Sequence, residues 1–168
     1  MTNILCGIDP GSSSSPTALA LLSEAEDKTI SIIGTHAVHS CGFASRPTNR
    51  RIMANTLFEI LKEYPAAKIT IENPMLQGSA RELLYALMAI IENYIKVDKK
   101  VAPCSVKKFM GHGTLEKEQM AQNLLNLSFD RKGKNYIKWL IEQKRFDETD
   151  AICIALYKPA NDEPEESE

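Results

Sequence analysis

The chain begins on an almost continuous apolar run, Ile4 to Ile8, closed by Asp9. So short and unbroken a run suits a central strand covered on both faces rather than an edge strand. Two more strand patterns follow, Asn3 to Asp9 being succeeded by Thr17 to Ser23 and by Lys28 to Val38. The period then lengthens. From about Pro47 to Tyr64 the residues Ile52, Leu57, Ile60 and Leu61 fall on one side of a helix, and Pro65 stops it. A short apolar strand ends at Glu72, and after Pro74 and Gly78 the stretch Ser79 to Lys96 reads as a helix, apolar round most of its circumference. Ser79 and Glu82 open it with a capping-box spacing, whose side chains satisfy backbone donors of the first turn.

Another strand, about Lys100 to Pro103, leads to a short helix or turn, Ser105 to Gly113, and then to a helix from Thr114 to Leu127. Ser128 to Phe146 reads as a loop with a helix around Tyr136 to Glu142, and a last apolar helix starts near Asp147. Three strands ahead of a helix, then strand, helix, strand and helices, imply an α/β fold. Its sheet is mixed, antiparallel in the first half, with helices on its faces. A chain of 168 residues, 43% hydrophobic, is long enough for one well-filled domain and short for two. One domain over 1–160 and a tail over 161–168 are expected.

Charge refines that division. The last seven residues hold five acids and have the composition of a solvated tail; without them the net charge of −2 becomes +3. Between Tyr94 and Arg145 twelve Lys or Arg stand against five acids, a footprint for a polyanion, although a lysine-rich solvated face has the same composition. No apolar stretch reaches the roughly 20 residues of a membrane helix. The first residues show neither a basic leader nor a small-residue cleavage site, so a cytoplasmic location is expected. Cys6, Cys41, Cys104 and Cys153 are far apart and form no CxxC pair, which fits reduced buried thiols better than a disulfide frame or a zinc site.

Candidate chemistry rests on four acids. Asp9 and Glu72 each close an apolar strand, and if those strands are parallel neighbours their ends lie about 5 Å apart, close enough to share a cation. Asp147 and Asp150, three apart at the start of an apolar helix, are separated by about 60° around its axis and face one point. Crowded carboxylates at low dielectric repel and take up protons unless a metal compensates them. Oxygen ligands of this kind select Mg²⁺ or Mn²⁺, and two such ions about 4 Å apart serve phosphodiester hydrolysis. Each acid also has a plain structural reading: Asp9 as a turn former before Pro10 and Gly11, Asp147 as a helix N-cap, Asp150 as a complement to the helix dipole. Glu72 is hardest to explain that way, because an acid ending a buried strand is costly without a partner.

The stretch GIDPGSSSSPTALALL resembles the first hairpin of RuvC-type Holliday-junction resolvases, ITIEN their second acidic strand, and DETDAICIAL their final helix. VAPCSVKKFMGHGTLEKEQM is similar to the family segment in which a VK pair precedes a glycine-bounded turn and an EK pair opens the next helix. The four segments occur in family order from Ile4 to Leu156. The resemblance implies a ribonuclease H-like, five-stranded mixed sheet with helices on both faces. It implies a Mg²⁺-dependent structure-specific endonuclease, with Mn²⁺ substituting and two ions per site, acting on branched DNA as a homodimer. Asp9, Glu72, Asp147 and Asp150 match the metal-binding acids. Lys107 and Lys117 match basic residues near the scissile phosphate, where a lysine is a point charge that positions the backbone. Lys108 and Arg81 are further DNA-binding candidates.

Three departures bear on the transfer. Some relatives carry histidine where this chain has Asp147. The stretch Lys117 to Asp147 is longer than in short bacterial members, adding basic and aromatic residues that line unpaired DNA or else pack on the core. Where bacterial members have an aromatic after the acidic strand this chain has NPMLQGS, leaving Met75 or Leu76 to wedge between bases. His36, His39 and His112 are left outside the site. Other ribonuclease H-like nucleases and a non-catalytic junction-binding protein are the alternatives. IDPGSS also resembles the phosphate loop of sugar kinases and actin-like ATPases, but the second phosphate loop those need is missing. A dimer interface is expected on the helix Ser79 to Lys96: Leu83, Leu84, Leu87, Ile90, Ile91 and Tyr94 would face the sheet and leave Tyr85, Met88 and Ile95 for a second copy. The same surface would be used up if another segment of the chain covered it.

Overall fold

The computed structural model describes residues 2–11, 15–39, 46–73 and 81–158, with backbone alone at 46–47 and 81–84. Strand β1 (Asn3–Asp9) pairs antiparallel with β2 (Thr17–Glu24), which pairs antiparallel with β3 (Ile30–Val38). On its other side β1 runs parallel to β4 (Lys68–Glu72), and β4 to β5 (Lys99–Val101), giving the order β3-β2-β1-β4-β5. The mixed five-stranded sheet with an antiparallel first half is therefore as the pattern and the resemblance imply.

Helices cover both faces, and the period of 2 along the strands sorts the residues between them. Leu19 and Leu21 of β2 join Cys6 and Ile8 of β1 in a core with α1 (Arg46–Leu61) and α2 (Arg81–Tyr94). Ala18, Ala20 and Leu22 face the opposite core, built by α3 (Pro103–Met110), α4 (Lys117–Leu124), α5 (Arg131–Glu142) and α6 (Phe146–Leu156). From Thr17 to Leu22 every residue is buried. The small side chains of β2 on that second face let α6 lie close, and every residue of α6 from Glu148 to Leu156 is buried.

Gly7 sets how close. A Cβ on Gly7 would lie 2.0 Å from the Ala151 carbonyl oxygen and 2.5 Å from the Ala155 nitrogen. The strand and helix backbones touch there, which only glycine permits.

Several boundaries differ from the pattern, each for a local reason. β3 starts at Ile30 because Lys28 turns with φ 65° while the Thr29 amide donates to Asp27 Oδ1 at 2.9 Å. β5 ends at Val101 because Pro103 opens α3, where its missing N–H costs nothing. α4 is trimmed to Lys117–Leu124, with the Glu116 amide donating to Gln119 Oε1. α5 begins five residues before Tyr136, since Asp130 caps it by accepting from the Gly133 amide at 2.6 Å.

Two surface expectations are overturned. Ile52 is 43% exposed; the buried line of α1 is Met53, Ala54, Leu57 and Leu61. Met88 on α2 and Ile95 just after it, assigned to a second copy, are buried in the core that α1 shares with α2, while Tyr94, expected to face the sheet, is exposed. Of the cysteines, Cys6 and Cys153 are buried, with thiols raised by that burial, whereas Cys104 is exposed. Cys41, the Ser79–Glu82 cap, Met75, Leu76 and the tail over 161–168 lie outside the described residues. Among the described residues no helix is long and apolar enough to cross a membrane.

Candidate active site

The acids meet at one edge of the sheet. Ile8 pairs with Ile71 in the parallel ladder, so the next residue on each strand, Asp9 and Glu72, stands at the same level. α6 crosses β1 and β2 with its first turn over that edge, and the Gly7 contact at Ala151 fixes its height. Carboxylate oxygens of Asp9, Asp147 and Asp150 lie within 4.8 Å of one another. Glu72 is outside this tight group but belongs to the same electrostatic site, since its charge is the second cause acting on Asp9. Asp147 is not an N-cap. The helix begins one residue before it, Arg145 holds the cap position, and Asp147 sits in the first turn beside Glu148.

Burial followed by the charges of Glu72, Asp150 and Asp147 raises the Asp9 carboxyl well above the usual carboxylate range, against the opposing Lys117. Glu72 is pushed up to about 7 by burial and by Asp150, with Lys117 and Lys107 pulling it down. Asp150 is raised by burial, with Lys117 the main opposing charge. Its Oδ1 is buried and has no hydrogen-bond partner among the described residues. Three acids held above their normal range around an unsatisfied oxygen form a site short of positive charge.

Part of that charge comes from Lys117, the first residue of α4. Its ammonium donates to Asp147 Oδ1 at 2.7 Å and lies 2.9 Å from Asp150 Oδ2. Burial alone would lower its pKa; Asp150 and Asp147 outweigh that and raise it, so the lysine is firmly cationic. Lys107, in the last turn of α3, is near enough for its charge to act on both Glu72 and Asp150. Lys108 is exposed, about 100° further round the same helix. Arg81 opens α2, and its side chain lies outside the described residues.

The fold that brings these acids to one edge is shared with a group of solved structures. The chain aligns over 92% of its length, and 90% of the other, with Thermus thermophilus RuvC in complex with a Holliday junction substrate, at TM-score 0.67 and 14% identity. The fold is that of RuvC. The yeast mitochondrial Holliday junction resolvase has the same fold, at TM-score 0.63 and 17% identity, over 89% of this chain and 76% of that one. The nuclease domain of the large terminase from bacteriophage SPP1, solved with bound Mn, matches at TM-score 0.51 and 17% identity, over 91% and 84%. No protein-family model and no curated protein matches the chain. At these identities the RuvC fold is what the comparisons establish.

Sequence reasoning passed over Glu148, which lies between the two acids of α6 and is 2% exposed. Arg145 donates to its Oε1 through Nε at 2.8 Å, and Thr35 Oγ1 donates to its Oε2 at 2.7 Å. With the threonine proton spent there, the Tyr136 hydroxyl at 2.8 Å is the donor to Thr35. An Arg and a Glu three apart across a helix start was the available signal.

Proposed function

We propose that this protein is a divalent-metal-dependent endodeoxyribonuclease that cuts branched DNA, the four-way junction first among its substrates. The observation that carries the reading is the cluster of Asp9, Asp147 and Asp150, within 4.8 Å, with a buried Asp150 oxygen that no group among the described residues satisfies. The residues fit a metal. The donors are all carboxylate oxygens, which suits Mg²⁺ with Mn²⁺ substituting and argues against softer ions. In this reading Asp9, Glu72, Asp147 and Asp150 hold it, and four carboxylates supply enough ligands for two ions. Divalent ions at such a site supply water activation and leaving-group stabilisation for phosphodiester hydrolysis.

The other groups act through charge and position. Lys117 braces Asp147 and Asp150 and offers a cation at the margin of the acid cluster, where a phosphate oxygen would arrive. Lys107 approaches from α3 and contacts the same strand, with Lys108 and Arg81 as outer phosphate contacts. The substrate is taken from the RuvC fold neighbour solved with its Holliday junction. Resolving a junction takes two incisions and the described residues of this chain hold one cluster, so a homodimer belongs to the reading. The surface offered for it on the α1–α2 layer is the exposed pair Phe58 and Tyr94, whose rings stand 6.3 Å apart.

Purified protein incubated with labelled four-way junction, fork, linear duplex and RNA–DNA hybrid, in Mg²⁺, Mn²⁺ or EDTA, tests this. Symmetric paired cuts in the junction, lost in EDTA, are expected. Preference for the hybrid would replace the reading with an RNA-directed nuclease, and binding without cleavage in either metal would replace it with a junction-binding protein.

A further inference from the structure

We propose that α5 and the turn after it form a second DNA-contacting face, which carries the phosphate backbone away from the acid cluster along the β3 side of the sheet. This rests on the reading of the protein as a branched-DNA nuclease. From Arg131 to Arg145 there are six Lys or Arg and one acid, Glu142, the steepest local imbalance in the chain outside its acidic end. Ile137 and Leu140 are fully buried on the inner side of α5, which leaves Arg131, Lys132, Lys138 and Lys144 exposed. A solvated helix also exposes lysines. Two further features distinguish this one.

The first is where the face leads. Asp9 pairs with Ala18 and Ala18 with Ala37, so the acid edge of the sheet continues straight across to β3. A cavity of about 410 Å³ there is lined by Ala37, His39, Lys144, Arg145 and Asp147. One of the candidate metal ligands thus shares an open surface with the basic end of α5. DNA held at the cluster and leaving on this side must pass over that end.

The second feature is rigidity. Trp139 is 40% exposed, yet it is fixed: Tyr136 stacks on it at 5.5 Å between centroids, and the Arg145 guanidinium lies 5.0 Å from its ring. Arg145 is tied to buried Glu148, and Tyr136 is tied through Thr35 to the same carboxylate. Glu148 adjoins Asp147. The exposed indole and its flanking cations are therefore held at a set distance from the acids, which is what a backbone track needs in order to fix register rather than merely attract DNA.

Trp139 is the only tryptophan of the chain, so its fluorescence reports on this face alone. Four-way junction is titrated into the wild type in EDTA, following Trp emission together with the anisotropy of labelled DNA, over a series of salt concentrations. The double variant K138A/K144A is treated the same way by anisotropy, its fold checked by circular dichroism. The proposal expects saturable quenching of Trp139 in step with binding. It also expects the slope of log K against log salt to flatten by roughly two in the double variant, at about 0.9 per lost phosphate contact. Binding with unchanged Trp emission and an unchanged slope would overturn this face while leaving the nuclease reading intact. No junction binding at all would overturn both.

Discussion

Replacing Gly7 by alanine tests whether the acid cluster depends on the contact between β1 and α6. The added Cβ would stand 2.0 Å from the Ala151 carbonyl oxygen, and ordinary contact begins at 3.4 Å, so strand and helix must separate by about 1.4 Å. The obstacle is helix backbone on one side and the central strand on the other, and neither yields as a side chain would. Overpacking of this kind costs about 1–3 kcal/mol, and a rigid obstacle belongs at the upper end. With a urea slope of roughly 2 kcal/mol per molar, the midpoint should fall by about 1–1.5 M. The catalytic loss should be larger than the stability loss, because Asp147 and Asp150 ride on α6 while Asp9 rides on β1. A misplacement of about 1 Å in a reacting constellation costs on the order of 100-fold. Urea unfolding and single-turnover junction cleavage at saturating protein, in Mg²⁺ and at a temperature where the variant is folded, measure the two effects. A Gly7→Ala protein with wild-type midpoint and wild-type rate would refute the argument that this glycine sets the height of the site.

Asp9→Asn, Glu72→Gln and Asp150→Asn should each abolish cleavage while leaving junction affinity in EDTA within a few-fold, since neutralising an acid cannot weaken attraction to phosphate; Asp147→Asn should also be severe, and near-normal cleavage by any one would remove that residue from the site. Lys107→Ala and Lys117→Ala should lower the single-turnover rate more than the affinity, and equal losses would make them ordinary phosphate contacts. Mn²⁺ at about 100 times its Kd should stabilise the wild type by about 2.7 kcal/mol, or roughly 5–10 °C in Tm, and Asp9→Asn should lose most of that gain in differential scanning fluorimetry. If the exposed Phe58 and Tyr94 pair two copies, Phe58→Glu should convert a dimer to a monomer in sedimentation, whereas a wild-type monomer at micromolar concentration that still makes paired cuts would dismiss that interface.

What could be read from residues alone follows from how local each cause is. Strand β1 and its flanking acid were legible because a continuous apolar run closed by a charge is a statement about burial that needs no partner to interpret. Asp147 and Asp150 were legible as a pair because helical spacing fixes their relation, but their approach to Asp9 depends on Gly7, whose role is visible only once α6 is laid across it. The start of α5 was missed although Asp130 carried the cap, because cap residues are equally at home in loops, and the cap is held there by a hydrogen bond from Ser31, 99 residues away. The placement of a second copy on Met88 and Ile95 failed for the same reason in reverse. A helix apolar on several sides says that something covers it, and α1 and a second copy are indistinguishable coverings until the packing is seen. Glu148 marks where the two kinds of information meet. Its charge made it look like surface, yet Arg145 from its own helix start and Thr35 from β3 pay for its burial between the two site acids. A buried acid satisfied by two fixed donors is constrained in place, so the helix turn that also carries Asp147 is held from behind while its front faces the acid cluster.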